Sequence, residues 1–529
     1  MKKLIIVFIF LISQLLFAQN QQGIELPDFV ITGKQSIDIP IAVKKKPELI
    51  STLSEDFILP QYSPEELPIL ISSLPVPVIP SIKSVDELFY GSLIMKAGRY
   101  TIPLGELNIN QIFDNYLFNT RVWGSNISEY IPNAGYNTSG ISMTHEFFLS
   151  TMSDFLPGSK IKIYGDYNRD SYKLYGWTND PTYLREVNNG SVLLSVSSSY
   201  SRWINYNFES DGNIYSFSEN GLKETNFNSQ GTVEFKTGTM IFGASGNYRL
   251  QNLTNNISNI ANYNFFSAQG YYTIYPLNMF WLSLGVNYSN TGYDSKISPF
   301  GSLEIKIDQG LTFSAEYKPH FEFFTVKDFL SKNPYVNFGL IDNAYEEYQN
   351  DVGAMIKYEY GKLFEASLTG RYSEINNYFY FDDKNQPGKL DLFLVPDAKI
   401  YDAKINLIYN SDRFGNLIYE AEFRQAKDDL KNYIPYEPEL STSLAYLYNF
   451  SFGLESKIKY NLMYDIYTNT ANSNMLQNYH DISISFGYEL FKAVKITADF
   501  QNIMNRSNFV WKLYQEKPFD ILFGFEYRW

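Results

Sequence analysis

Period-two alternation limits what this chain can fold into more than any other feature, and the last nine residues show it most plainly. Ile521, Phe523, Phe525, Tyr527 and Trp529 alternate with Leu522, Gly524, Glu526 and Arg528. One face is almost wholly aromatic and the other mostly polar, the pattern of a β-strand set between two unlike environments. Such an aromatic face is unfavourable in water. It is satisfied where it meets lipid while the opposite face meets an aqueous lumen, as in a transmembrane β-barrel.

The same pattern recurs from about residue 88 onward. Leu303, Ile305 and Ile307 alternate with Glu304, Lys306 and Asp308, and after a turn Leu311, Phe313, Ala315 and Tyr317 alternate with Thr312, Ser314, Glu316 and Lys318. A soluble sandwich would also place one apolar face of each strand on a core. Against it stand the aromatic ends of the apolar faces and segment lengths near the roughly ten residues that cross a bilayer at a tilt. Connections also alternate between short (237–238, 308–310, 360–361, 490–492) and long (322–348, 374–397, 426–437, 503–516). The reading is an all-β chain, a transmembrane antiparallel β-barrel of about 22 strands, an even number as in bacterial barrels. Its first strand lies near Gly91–Gly98, although spacing is less regular over 105–217. The long loops are expected outside the cell and Trp529 on the periplasmic side. The closing strand is expected to pair with the first, removing both edges.

Composition agrees. Aromatic residues make up 17% of the chain, with 44 Tyr and 41 Phe. Mean hydropathy is −0.25, as expected where lipid-facing and lumen-facing residues average out. A net charge of −14 argues against a nucleic-acid partner, which calls for basic patches. Lys2 and Lys3, the apolar run 4–12 and the small Ala18 read as a secretory signal peptide over 1–18, its apolar run being too short to span a membrane. Residues 19–87 form a Pro-rich, extended segment, interrupted at Pro27, Pro40, Pro47, Pro60, Pro64, Pro68, Pro75, Pro77 and Pro80. Its apolar stretch 74–80 is expected to pack against something. The barrel occupies 88–529.

Little in the chain points to chemistry. There is no cysteine, and His145, His320 and His480 have no second ligand at metal spacing, so neither a metal nor a catalytic site is expected. No G-x-S-x-G turn or phosphate-binding loop occurs, so neither an enzyme nor a cofactor is implied. The pairs Glu346-Glu347, Asp382-Asp383 and Asp428-Asp429 read as solvated loop charge. Inward positions of both signs, among them Glu316, Lys318, Lys357, Glu359, Glu365, Arg371, Lys495 and Asp499, read as cross-strand pairs that satisfy a wet interior or, alternatively, as a lumen that binds a polar solute. The aromatic run 377–381 could stack on sugars, grip a partner or pack on itself.

Several stretches carry a resemblance. The closing strand resembles the C-terminal insertion signal of bacterial outer-membrane barrels, with Ile521, Phe523, Phe525, Tyr527 and Trp529 as its elements. That implies outer-membrane lipid and the barrel assembly machinery as partners. Asp499-Phe500-Gln501-Asn502-Ile503-Met504-Asn505-Arg506, followed by Lys517-Pro518-Phe519-Asp520, resembles the end of TonB-dependent receptor barrels, and Gly98 to Gly105 looks like their first hairpin. Leu26, Pro27, Asp28, Phe29, Val30, Ile31, Thr32 and Gly33 are similar to the TonB box, the segment that pairs with the TonB protein; the same residues also read as an extended tether. The chain departs from that family between Gly33 and the barrel, where the Pro-rich segment is too short and interrupted for the globular plug. A lumen of this size is normally plugged, so the Pro-rich segment, long loops such as 322–348 or a partner is expected to fill it. The resemblance implies transport or binding of a solute at the outer membrane. The alternative is a plugless barrel serving as structural component of an outer-membrane complex.

Overall fold

The computed structural model describes residues 89–529, apart from 219–220, 255–258, 278, 309, 338–343 and 412. The expected signal peptide, the Pro-rich segment and the TonB-box-like residues Leu26 to Gly33 lie outside the described residues.

The wall is a closed antiparallel barrel of 22 strands. Its first strand is Gly91–Gly98 and its last Asp520–Arg528. These two pair antiparallel from Ser92↔Arg528 to Gly98↔Leu522, so both edges disappear into one seam. The seam continues to the chain end, where Gly91 and Trp529 exchange two backbone hydrogen bonds of 3.1 Å. The indole of Trp529 lies over Gly91, and a methyl group on that glycine would collide with it.

Alternation decides which side chain meets which medium. In the closing strand Phe523, Phe525, Tyr527 and Trp529 are exposed on the outer surface, and Ile521 is half-buried. Leu522, Glu526 and Arg528 point inward and are buried. The outer wall elsewhere is equally apolar: Val192, Val286 and Leu368 are each more than half exposed. A patch this extensive is explained by lipid. The inner face carries the expected ladder of pairs. Lys96 meets Asp499 at 2.7 Å, Lys357 meets Glu365 at 3.0 Å, Lys495 meets Glu455, and Arg528 meets Glu526 at 2.6 Å. Lys306 lies 4.4 Å from the ring centre of Trp281 instead.

The long loops gather at one end, together with the short connections 99–100 and 291–294, and most short turns at the other, with two departures from the expected lengths. The 374–397 connection is far shorter: Phe364–Asp382 and Leu390–Ser411 run as strands of 19 and 22 residues, leaving only 383–389 between them. They continue past the length a bilayer needs because their upper parts are covered on both faces. Tyr378 and Tyr380 pack into one apolar cluster and Phe379 and Phe381 into another. The second departure is at the turn end, where residues 149–159 make a longer connection than the pattern implies.

Deleting Trp529, or replacing both Phe525 and Tyr527 by Ser, is expected to lower the amount of folded barrel in the outer membrane severalfold while export continues. Heat-modifiable gel mobility of membrane fractions measures this, and normal levels would count heavily against the seam's role.

Candidate functional site

The apolar core of the described residues lies across the loop end of the barrel, where it closes the mouth. Its origin is a local break in the wall. Strand Ser295–Asp308 pairs with Leu311–Tyr317 as far as Gly301↔Tyr317. Two residues further on, the same register would set Pro299 opposite Pro319. Neither proline has an N–H to give the ladder, so pairing ends there. Beyond this point the second strand continues as His320–Phe323, paired only with its other neighbour, from His320↔Tyr348 to Phe323↔Tyr345. The gap is bridged by side chains: Lys296 meets Glu347 at 2.5 Å and the Tyr345 hydroxyl donates to Asp294.

The freed hairpin carries a short helix, Val326–Lys332. Thr325 caps it: its hydroxyl accepts from the Asp328 N–H at 3.2 Å, and Asp328 accepts from the Thr325 N–H at 2.8 Å. Pro334 follows the end. Val326, Phe329 and Leu330, one helix face, are buried. Phe329 meets Phe379 edge-on and Phe324 stacked, at centroid distances of 5.0 and 5.5 Å.

Buried polar groups from the fifth, sixth, eighth and ninth wall strands hold this segment. The Glu224 carboxylate, fully buried, accepts from the Val326 N–H at 2.8 Å and from Gln251. Tyr172 and Arg185 donate to the Pro334 carbonyl at 2.7 and 2.8 Å, and Arg249 donates to the Phe323 carbonyl at 2.8 Å. Removing one partner of such a bond leaves a buried group unmatched, a loss of about 1–3 kcal/mol.

Four further loops, 128–135, 174–183, 383–389 and 502–519, complete the cap. Tyr335 stacks on Tyr514 at 3.4 Å. Tyr130 and Tyr175 both donate to the Gln515 carbonyl at 2.8 Å. Burial raises the Tyr130 phenol to about 12 and those of Tyr175 and Tyr335 well above their ordinary range, so all three remain neutral donors at physiological pH. Loops 174–183 and 383–389 come from nearly opposite walls, between the fifth and sixth and the fifteenth and sixteenth of the 22 strands, yet they touch. The Thr178 N–H donates to the Pro387 carbonyl at 3.1 Å, and Lys389 lies 4.5 Å from the ring centre of Trp177. Gly388, at φ 82°, passes so close to the Gly176 carbonyl that no Cβ fits.

Beneath the cap the lumen is polar. On one side a cavity of about 420 Å³ is lined by Glu316, His320, Arg371, Asp402, Lys404 and Arg424 among others. Arg371 grips the buried Asp351 with two nitrogens, and Asp351 also accepts from Ser373 at 2.9 Å. A second cavity, of about 750 Å³, is lined by the wall strands between residues 160 and 290 and meets the first at His320.

The sequence-derived candidates fall as follows. The three histidines lie apart: His145 bonds the Tyr116 hydroxyl at 2.6 Å, His480 bonds that of Tyr460 at 2.9 Å, and His320 stacks on Tyr348 and bonds the Lys318 carbonyl at 2.8 Å. Two of the carboxylate pairs correct the expectation of solvated charge, whereas Asp429 of the third is exposed as expected. Glu346 is 2% exposed and accepts from the Phe379 N–H at 3.0 Å, while Asp383 meets Lys512 at 3.0 Å. They serve the cap because its packed loops leave backbone donors and a lysine to be matched. The run 377–381 packs into the cap and its flank. Glu224, Arg185, Arg249 and Tyr514 were not foreseen.

Phe329→Ala is expected to destabilise the cap by about 3–5 kcal/mol and to speed trypsin cleavage at Lys332, while the barrel keeps its folded gel mobility. Unchanged cleavage would mean that Phe329 does not hold the cap closed.

No protein-family model and no curated protein matches the sequence. Solved structures do. The ferric enterobactin receptor of Pseudomonas aeruginosa matches with a TM-score of 0.62 at 10% identity, over 83% of this chain and 80% of its own. The ferric-catecholate import receptor of E. coli K12 gives 0.61 at 10% identity, over 84% and 82%, and so does a copper transporter. At this identity the likeness establishes the fold alone: this chain shares the barrel architecture of these receptors, built here with 22 strands.

Proposed function

We propose that this protein is an outer-membrane barrel that binds or transports a solute, with a mouth closed by its own loops. One observation carries the reading: a polar lumen lies under a packed cap whose ladder to one wall neighbour, Ser295–Asp308, ends at Gly301↔Tyr317 and is replaced beyond it by side-chain contacts. The similarity of the fold to import receptors for ferric-catecholates and to a copper transporter supports a transport role. On this reading the cap faces outward, lipid surrounds the aromatic wall, and the barrel assembly machinery inserts it through the closing strand. Residues 1–18 are the cleaved signal peptide, 19–87 the periplasmic or lumenal segment and 88–529 the barrel.

The chain contains no cysteine, so Thr178→Cys with Pro387→Cys introduces a single disulfide across the mouth. Liposomes carrying the intact protein are expected to pass small solutes slowly. The oxidised double variant should pass them more slowly until reductant is added, and a variant lacking 324–344 severalfold faster. Equal flux in all three would remove the transport reading. It would favour the second one, a closed platform within a larger complex, which the dense packing of the cap supports.

We also propose that Leu26 to Gly33 pairs with TonB. Photo-crosslinkers at Phe29 or Ile31 should then capture TonB in cells. Absence of crosslinks where an authentic receptor gives them would remove the coupling.

A further inference from the structure

The two sides of the lumen differ in chemistry. The side that includes Arg371, Asp402, Lys404 and Arg424 is dominated by ion pairs. The other, built from strands between Lys160–Lys173 and Phe280–Asn290, is dominated by side-chain amides and hydroxyls. Asn205, Asn207, Gln230, Asn247, Gln269 and Asn287 all line the cavity of about 750 Å³, a volume within the roughly 300–1,000 Å³ of small-molecule sites. Its charged groups are few: Lys160 meets Glu146 at 2.8 Å, Glu234 accepts from Tyr271 at 2.8 Å, and Lys318 stands at the border with the charged side, near Glu316 and Asp351.

The amides are held in a defined sense. Asn205 donates its nitrogen to Glu234 at 3.2 Å, and Gln230 donates its nitrogen to Glu209 at 3.3 Å. Ionised carboxylates only accept, so both amide oxygens are turned away from these partners. The side-chain oxygens of Asn205 and Asn247 receive no hydrogen bond from the protein. A shielded acceptor without a donor is unfavourable, and a donor that arrives with a ligand, after a small rotation of the amide, relieves it. Above this lining lie Phe265 and Phe321, which belong to the core of the cap and also border the cavity. The site thus offers many acceptors, little net charge and an apolar roof. Multiply charged anions fit such a lining poorly; a solute that is rich in hydroxyl donors and has flat C–H faces fits it well.

We propose that this cavity binds a neutral polyhydroxylated solute of the size of a short oligosaccharide. The inference rests on the solute-binding reading above and narrows its ligand class. The test is calorimetric titration of the purified full-length protein with maltotriose and raffinose, with citrate and inorganic phosphate as anionic probes. Saturable binding of at least one neutral oligosaccharide is expected, weakened roughly fivefold to tenfold by Asn205→Leu and separately by Gln230→Leu. Lys404→Ala, on the charged side, should leave it unchanged, and folded gel mobility confirms that each variant is intact. No binding of either oligosaccharide, tighter binding of the anions, or equal weakening by Lys404→Ala would overturn the proposal. If cap-dependent flux persists after such a failure, only the ligand class falls; if flux is absent too, the broader reading falls with it.

Discussion

Lipid offers no hydrogen bonds to a backbone, so every N–H and C=O within it must find a partner in the protein. The rest of this structure depends on that constraint. It dictates a closed ladder, and closure requires Asp520–Arg528 to pair with Gly91–Gly98, some four hundred residues earlier in the chain. It also confines irregular backbone to the ends of the wall. The proline pair that ends the ladder beyond Gly301 and Tyr317 lies toward the loop end of its strand, and the hairpin it frees turns inward over the lumen.

A barrel whose wall is apolar outside and polar inside has no interior core to hold it rigid. This chain places its core at the mouth. Rings from many wall strands converge there on Phe324, Phe329, Tyr335 and Tyr514, which the loops supply. Packing of this density needs its polar groups matched, and the buried Glu224, Arg185 and Glu346 do so by meeting backbone N–H or C=O groups of the cap. The same core lies between the loop end of the barrel and two polar cavities of different character.

Much of the wall was legible in the sequence, because alternation with period two reports directly on the medium each side chain meets. The first strand, the seam and the inward charge ladder all follow from it. The cap was legible only in part. Residues 322–348 were among the candidates to fill the lumen, and Thr325 with Asp328, followed by apolar residues at 326, 329 and 330 and by Pro334, is a readable helix start and stop. Contacts such as Thr178 with Pro387 are not readable, since they join loops that no periodicity relates. Alternation also failed for Tyr378 to Phe381, which are buried on both faces, and the paired acidic residues looked solvated because their partners lie far away in the chain.

Pro299 and Pro319 have a mechanical consequence. A strand leaving a sheet ordinarily gives up a ladder of hydrogen bonds one by one, and that loss resists the motion. Here, on the side of Ser295–Asp308, the ladder has already ended before the hairpin turns inward. The hairpin therefore has a pivot at which swinging breaks no backbone bond to that neighbour. On that side resistance to opening comes from ring packing and side-chain bonds instead, which a few substitutions in the cap can retune without touching the wall that crosses the membrane.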